Sequence, residues 1–344
     1  MCTEIKYILA TTATIVMKAC LLWLIFIFTI AGLPAQDLPL PVKDFGTNPG
    51  RLSMYLYVPK DLNKNKKIPL VLVLHGCSQN VLTISMESGW NKLADSLEFI
   101  VLYPGQKLLN NPYNCFNWFM GKDNSRNSGE ALSIKEMLDY TMQHYTIDSS
   151  RVFTYGVSAG AAMSVALLAD YPEIFKAGAS LAGGAYPGSL GLADALSNML
   201  SPPDKTGAEW AAVVKEQNPN YRGHYPEVII LQGEDDELVK PANAIQLVRQ
   251  WTYLHHTSEQ ACNTTASFAG NADVTKYIYC DTTGNTAVVY YQIKNLGHAL
   301  PVWPGNGIER GGKTGLYTVD KNFHSTYWIA VDFGLIPKEG KKEW

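Results

Sequence analysis

Arg151-Val152-Phe153-Thr154-Tyr155-Gly156-Val157-Ser158-Ala159-Gly160 runs straight into Ala161 to Asp170 (AAMSVALLAD), and this stretch decides the fold. Arg151 to Tyr155 is a short β-rich run. Ala159 to Asp170 is a helix former of small residues and leucines that stops at Tyr171-Pro172. Between them lies Gly-x-Ser-x-Gly, the pattern of a nucleophile elbow. A serine on such a tight strand-to-helix turn sits in a strained backbone, so the residues two before and two after it must be small. Gly156 and Gly160 meet that need. The turn also sets Ser158 at a helix N-terminus, where free amides and the helix dipole favour developing negative charge. A bare Gly-x-Ser-x-Gly also occurs as an ordinary glycine-rich turn, so its partners must decide.

On open sheets that carry this turn, a catalytic acid and then a histidine follow the serine, each on a loop after a later strand. Val228 to Leu231 (VIIL) reads as a buried parallel strand and leads into the acidic loop Gln232 to Glu237 (QGEDDE). Val288 to Lys294 (VVYYQIK) is another strand and empties into Asn295-Leu296-Gly297-His298. His298 is therefore expected at a strand's C-terminal end, where open α/β sheets place their sites. Pro69 to Leu74 (PLVLVL) is a third buried strand, followed by His75-Gly76-Cys77-Ser78-Gln79-Asn80. That loop can aim an amide at a reacting carbonyl, so the backbone NH groups of Cys77 and Ala159 are expected to form an oxyanion hole. The His75 imidazole itself is read as structural.

Strands are expected at Leu52 to Val58, Pro69 to Leu74, Phe99 to Tyr103, Arg151 to Tyr155, Ala177 to Leu181, Val228 to Leu231 and Val288 to Lys294. Helices near Trp90 to Leu97, Glu130 to Tyr145, Ala159 to Asp170 and Pro241 to His255 alternate with them. The pattern is α/β: a mostly parallel, doubly wound sheet with helices on both faces. Leu190 to Asn218 reads as a helical cap or side insertion, Cys262 to Tyr279 as a small hairpin excursion, and Lys338 to Trp344 as a solvated tail.

Several pieces together resemble the extracellular polyhydroxybutyrate (PHB) depolymerase-like esterases, a family shared with feruloyl and acetylxylan esterases. They are LHGCSQN (Leu74 to Asn80), NCFNWF (Asn114 to Phe119), SGEALSIKEM (Ser128 to Met137), IDSSRVFTYGVSAG (Ile147 to Gly160) and GHALPV (Gly297 to Val302). The resemblance spans about Leu52 to Leu335. It implies the α/β-hydrolase fold and a serine esterase that works through an acyl-enzyme without a cofactor. Aligning the acidic loop on Gly233 and Val239 makes Asp236 the catalytic acid, with Asp235 the alternative. The resemblance also implies that Cys77 pairs with Cys115 and that Trp118 lies beside the acyl or alcohol site. Phe116 and Trp303 are further aromatic candidates near the motifs. The chain departs from the family pattern at Ala161, where a glycine is usual, and in the acid loop GEDDELV; neither change removes a catalytic group. The substrates implied are short-chain hydroxyalkanoate polyesters or their oligomers, or alternatively feruloyl or acetyl esters of plant cell wall polysaccharide.

Ala19 to Gly32 (ACLLWLIFIFTIAG) is an uncharged apolar run preceded by Lys18 and followed by Leu33-Pro34-Ala35, which reads as a signal peptide over residues 1–35. It falls short of the roughly 20 apolar residues of a spanning helix, so export without a stable membrane anchor is expected. Met17 is an alternative start. Residues 36–344 then have the length of one esterase domain, secreted to the extracellular space or periplasm. A net charge of −3 with 17% charged residues offers no basic patch for nucleic acid. Beyond the leader the cysteines are Cys77, Cys115, Cys262 and Cys280, an even set that favours disulfides in an exported chain. Three pairings are open; Cys77 with Cys115 and Cys262 with Cys280 closes two separate loops without crossing. No metal is implied, since the cysteines are not closely paired and His255-His256 lacks the i, i+4 spacing of a helical zinc site.

Overall fold

A computed structural model of the chain describes residues 38–63 and 65–337; the leader and the tail Lys338 to Trp344 lie outside the described residues. The strands of its main sheet in chain order are β1 (Leu40–Val42), β2 (Ser53–Tyr57), β3 (Ile68–Leu74), β4 (Ile100–Gly105), β5 (Ile147–Val157), β6 (Ala177–Leu181), β7 (Glu227–Gly233), β8 (Asn263–Thr265), β9 (Val274–Cys280) and β10 (Thr286–Ile293), and Leu300–Val302 pairs with Thr318–Asp320 apart from it. The main sheet is ten-stranded, in the order β1-β2-β4-β3-β5-β6-β7-β10-β9-β8. From β4 through β10 the neighbours are parallel, and at both edges they are antiparallel.

The apolar runs become central strands because both sheet faces are covered. In β3 every residue is buried. Leu70, Leu72 and Leu74 point into one core layer, while Val71 and Val73 point into the other. The first layer is closed by the helices Gly129–His144, Ala159–Asp170 and Ala242–Leu254, which contribute Met137, Met163 and Leu247. The second is closed by Val81–Glu87, Trp90–Leu97 and Ser325–Asp332, which contribute Ile84, Trp90 and Ile329. Burying a side chain of this size contributes about 1.5–3 kcal/mol, so these two layers hold the sheet between its helices.

The register carries the site. Val157 is paired with Leu181, Leu181 with Leu231, and Leu231 with Tyr291. The C-terminal ends of β5, β6, β7 and β10 therefore stand side by side, and the loops that follow them meet above one edge.

The segment Leu190 to Asn218 holds two helices, Leu192–Leu200 and Gly207–Lys215; the second is opened by a capping box in which Thr206 and Glu209 satisfy each other's amides. The Cys262 to Tyr279 hairpin does form, as β8 on β9, but it is no excursion: β9 also pairs with β10 and extends the sheet. Both disulfides, Cys77 to Cys115 and Cys262 to Cys280, are present. Among the described residues no helix is long and apolar enough to cross a membrane.

Candidate active site

Ser158 sits at the junction of β5 and the helix Ala159–Asp170 with φ 55° and ψ −120°, a conformation that L residues rarely adopt. The flanking glycines explain how the turn is possible. A Cβ on Gly156 would stand 2.1 Å from the carbonyl oxygen of Gly160, and one on Gly160 would stand 2.5 Å from the carbonyl oxygens of Leu74 and His75. The Ser158 amide donates to Leu181 O at 2.8 Å, and its carbonyl accepts from Ala162 N at 3.0 Å, so the strained residue is pinned from the sheet and from the helix.

Three side chains from three loops meet here. His298 Nε2 lies 2.9 Å from Ser158 Oγ, and His298 Nδ1 lies 2.8 Å from Asp236 Oδ2. The carboxylate can only accept from the Nδ1 hydrogen, which leaves Nε2 free to accept from the serine hydroxyl. Asp236 is buried, and each of its oxygens is used: Oδ1 accepts from the amides of Leu238 and Val239 at 3.0 and 2.9 Å, and Oδ2 also accepts from Gln232 Nε2 at 3.0 Å. Burial works to raise the Asp236 carboxyl, but the His298 hydrogen bond and charge, with the two backbone amides, hold it below the usual aspartate range. Asp235 is exposed and only its amide is engaged, to Leu296 O at 3.0 Å. Of the two acids the sequence offers, Asp236 is the one beside the histidine. Gln232 is a partner that reading the sequence missed; its signal was a lone amide following the apolar run Val228 to Leu231.

The loop after β3 faces the serine. The amides of Gly76, Ser78 and Gln79 are taken by Gln79 Oε1, Tyr113 O and Gly76 O, at 2.9, 2.7 and 3.3 Å. Among the described residues, the Cys77 amide has no such acceptor. The Ala159 amide, first in its helix, has no carbonyl one turn before it within the helix. The Cys77 to Cys115 bridge ties this loop to the segment that carries Phe116 and Trp118. His75 is fully buried; it lies 2.8 Å through Nδ1 from Gly76 O, and its Nε2 accepts from Gln106 N at 3.1 Å. Burial pushes the imidazole down to about 4, which keeps it neutral and suits a structural role.

Two largely apolar clefts meet at Ser158, which lines both. One runs from Ala159 past Trp118 to Met199, Trp210 and Val239, and the other from Gly76 past His298 to Leu238 and Tyr317. Trp118 therefore lines the serine's own cleft. Phe116 is core, packed against His75 with ring centroids 4.9 Å apart. Trp303 lines neither cleft and lies under the Arg310 guanidinium, 4.8 Å from it.

The sequence matches the model of the family described as Esterase PHB depolymerase over residues 52–273, a span that holds the serine and the acid and ends before His298. Poly(3-hydroxyalkanoate) depolymerase C of Paucimonas lemoignei is 38% identical over 297 residues, covering 86% of this chain and 70% of the relative. Feruloyl esterase B of Talaromyces funiculosus is 32% identical over 267 residues, 76% of this chain and 72% of that one. Among solved structures, acetyl xylan esterase from Aspergillus awamori is similar with a TM-score of 0.69 at 25% identity, over 76% of this chain and 94% of that one. The fold is thus that of the α/β-hydrolase esterases.

Proposed function

Because this chain belongs to the PHB depolymerase family of esterases and is a serine-type carboxylic ester hydrolase, we propose that Ser158, His298 and Asp236 are its catalytic triad. The observation that carries the reading is the line of hydrogen bonds from Ser158 Oγ through His298 to buried Asp236. In it, Ser158 Oγ attacks the ester carbonyl while its proton passes to His298 Nε2. Asp236 fixes the tautomer and stabilises the imidazolium. The tetrahedral oxyanion is held by the amides of Cys77 and Ala159, donors worth about 3–4 kcal/mol each by deletion in other serine hydrolases. His298 then gives the proton to the departing alcohol. Water repeats the sequence on the acyl-enzyme and frees the acid.

The substrate reading is a short-chain hydroxyalkanoate polyester or its oligomers. What supports it is the 38% identity to a poly(3-hydroxyalkanoate) depolymerase along most of the chain, together with two apolar clefts that meet at the serine and offer room for the two parts of an ester. Feruloyl or acetylxylan ester hydrolysis is the second reading, favoured by the similarity to the acetyl xylan esterase structure. Residues 36–344 act as one esterase domain, and the two disulfides support export to the extracellular space or periplasm. The deciding experiment compares turnover of hydroxybutyrate oligomers, methyl ferulate and acetylated xylan by one preparation. Highest kcat/KM on the oligomers is expected; highest on ferulate or acetylxylan reverses the order of the two readings.

A further inference from the structure

Beneath the Cys77 turn lies a buried carboxyl group that the reaction scheme above does not use. Glu130, in the first turn of the helix Gly129–His144, is 1% exposed. Its Oε1 accepts from Gln106 Nε2 at 2.6 Å and from Asn117 Nδ2 at 2.7 Å, and its Oε2 accepts from the Asn117 amide at 2.8 Å. Among the described residues no lysine or arginine pairs with it, and the charged group that acts on it is Asp123, of like sign. A buried carboxyl without a cation is a poor way to gain stability, since an apolar side chain of similar volume avoids the desolvation cost. The arrangement is built of donors, and each donor leads to the site.

Gln106 is the hub. Its Nε2 also donates to Cys115 O at 3.0 Å, and its amide donates to His75 Nε2 at 3.1 Å. His75 Nδ1 lies 2.8 Å from Gly76 O, and Cys115 is bridged to Cys77. Both routes end on Gly76 and Cys77, the two residues whose peptide unit carries the Cys77 N–H. The other donor residue, Asn117, is held at its own Oδ1 by Asn111 Nδ2 at 3.0 Å and immediately precedes Trp118 in the cleft wall.

We propose that Glu130 is a positioning residue for catalysis, which acts through Gln106 and His75 to preset the Cys77 amide for the oxyanion. The proposal rests on the reading of that amide as an oxyanion donor. Glu130 touches no reacting atom; it fixes the direction of an N–H whose value depends on being aligned before the charge develops.

Glu130→Gln keeps the shape but replaces one oxygen, which accepts whether or not it is protonated, by an amide nitrogen that cannot accept and that faces donors. In the full chain, with p-nitrophenyl butyrate as substrate, it is expected to lower kcat about tenfold with KM held within about twofold, the pattern of an interaction made only in the transition state. Gln106→Ala should give a kcat loss of the same order. In the double variant the two losses should not multiply, because both break one chain of contacts. Unchanged kcat in folded Glu130→Gln, with only the melting temperature lowered, overturns the proposal, as do losses that multiply or a rise in KM alone. If Glu130→Gln does not fold, Gln106→Ala, which leaves both Asn117 bonds to the carboxylate, decides by the same split between kcat and KM. Ser158→Ala run alongside separates the two readings: activity retained there removes the serine mechanism itself, whereas activity lost there with Glu130→Gln unaffected removes only the positioning role.

Discussion

Gly160 and His75 are in backbone contact: a Cβ on the glycine would stand 2.5 Å from the histidine's carbonyl oxygen. The turn that holds Ser158 and the turn that holds Cys77 are thus fitted to each other without a side chain between them. Gly160→Ala is expected to push the two apart and reduce turnover at least about tenfold, since about 1.4 kcal/mol of lost transition-state stabilisation has that effect. Steady-state kinetics on the folded variant checks this; normal kcat with alanine in place would mean the turns separate without consequence for the amides.

Removing the proposed nucleophile or its proposed base gives the plainest result. Ser158→Ala and His298→Ala should each lower the hydrolysis of short p-nitrophenyl esters by about three orders of magnitude or more. Circular dichroism should stay that of the parent. A folded Ser158→Ala protein with ordinary rates would remove the mechanism.

Asp236 and Asp235 adjoin in sequence and differ in surroundings, so they make an internal control. Asp236→Asn should cripple turnover, because an amide at that position no longer dictates the Nδ1–H tautomer of His298. Asp235→Asn, at an exposed side chain, should leave most activity. The opposite ranking in a kcat comparison would assign the acid to the other residue.

The two bridges should separate in their effects. Cys115→Ser is expected to cost about 2–5 kcal/mol of stability and also to slow what remains folded, since it frees the Cys77 turn. Cys280→Ser should cost stability alone, because its bridge joins the end of β9 to the residue before the edge strand β8, away from the serine. Chemical denaturation combined with kinetics on each variant measures both quantities.

Glu130 makes a pH prediction. Burial drives its carboxyl up to about 8 against the hydrogen bonds from Asn117 and Gln106, and Asp123 adds to the rise. The folded chain therefore holds this proton more tightly than the unfolded chain. Its contribution is fully present below the ordinary glutamate range and is lost as pH rises through about 8. Glu130→Gln does not titrate, so its stability deficit relative to the parent should be larger near pH 5 than near pH 8, as read by melting temperatures in the two buffers. A deficit that grows with pH contradicts the sign.

Much of the candidate site's geometry was legible in the sequence because its signals are local. The nucleophile turn needs two small residues at fixed offsets, and the loops bearing His75 and His298 follow runs of buried β-formers. Asp236 over Asp235 followed only from the resemblance, because burial of one neighbour and exposure of the other is set by how the loop folds back on Gln232 and the amides of Leu238 and Val239. The clamp around Glu130 was not legible, since it joins residues from β3's loop, β4's end and a helix that meet only in three dimensions. The helices Val81–Glu87 (VLTISME) and Ser325–Asp332 (STYWIAVD) went unread for another reason. Their β-branched and aromatic residues have modest helix propensity, and packing under the sheet overrides it.

Chain order has a consequence in time. His298 follows Ser158 by 140 residues and reaches it only after β10 has docked on β7. At a synthesis rate of about 5–20 residues per second, Ser158 precedes His298 out of the ribosome by roughly 7 to 28 seconds. Throughout that interval the turn can be formed and the hydroxyl present, yet nothing is there to take its proton. On the triad reading proposed above, a chain that ends before His298 therefore carries the serine without its base and is expected to hydrolyse esters far more slowly than the whole chain.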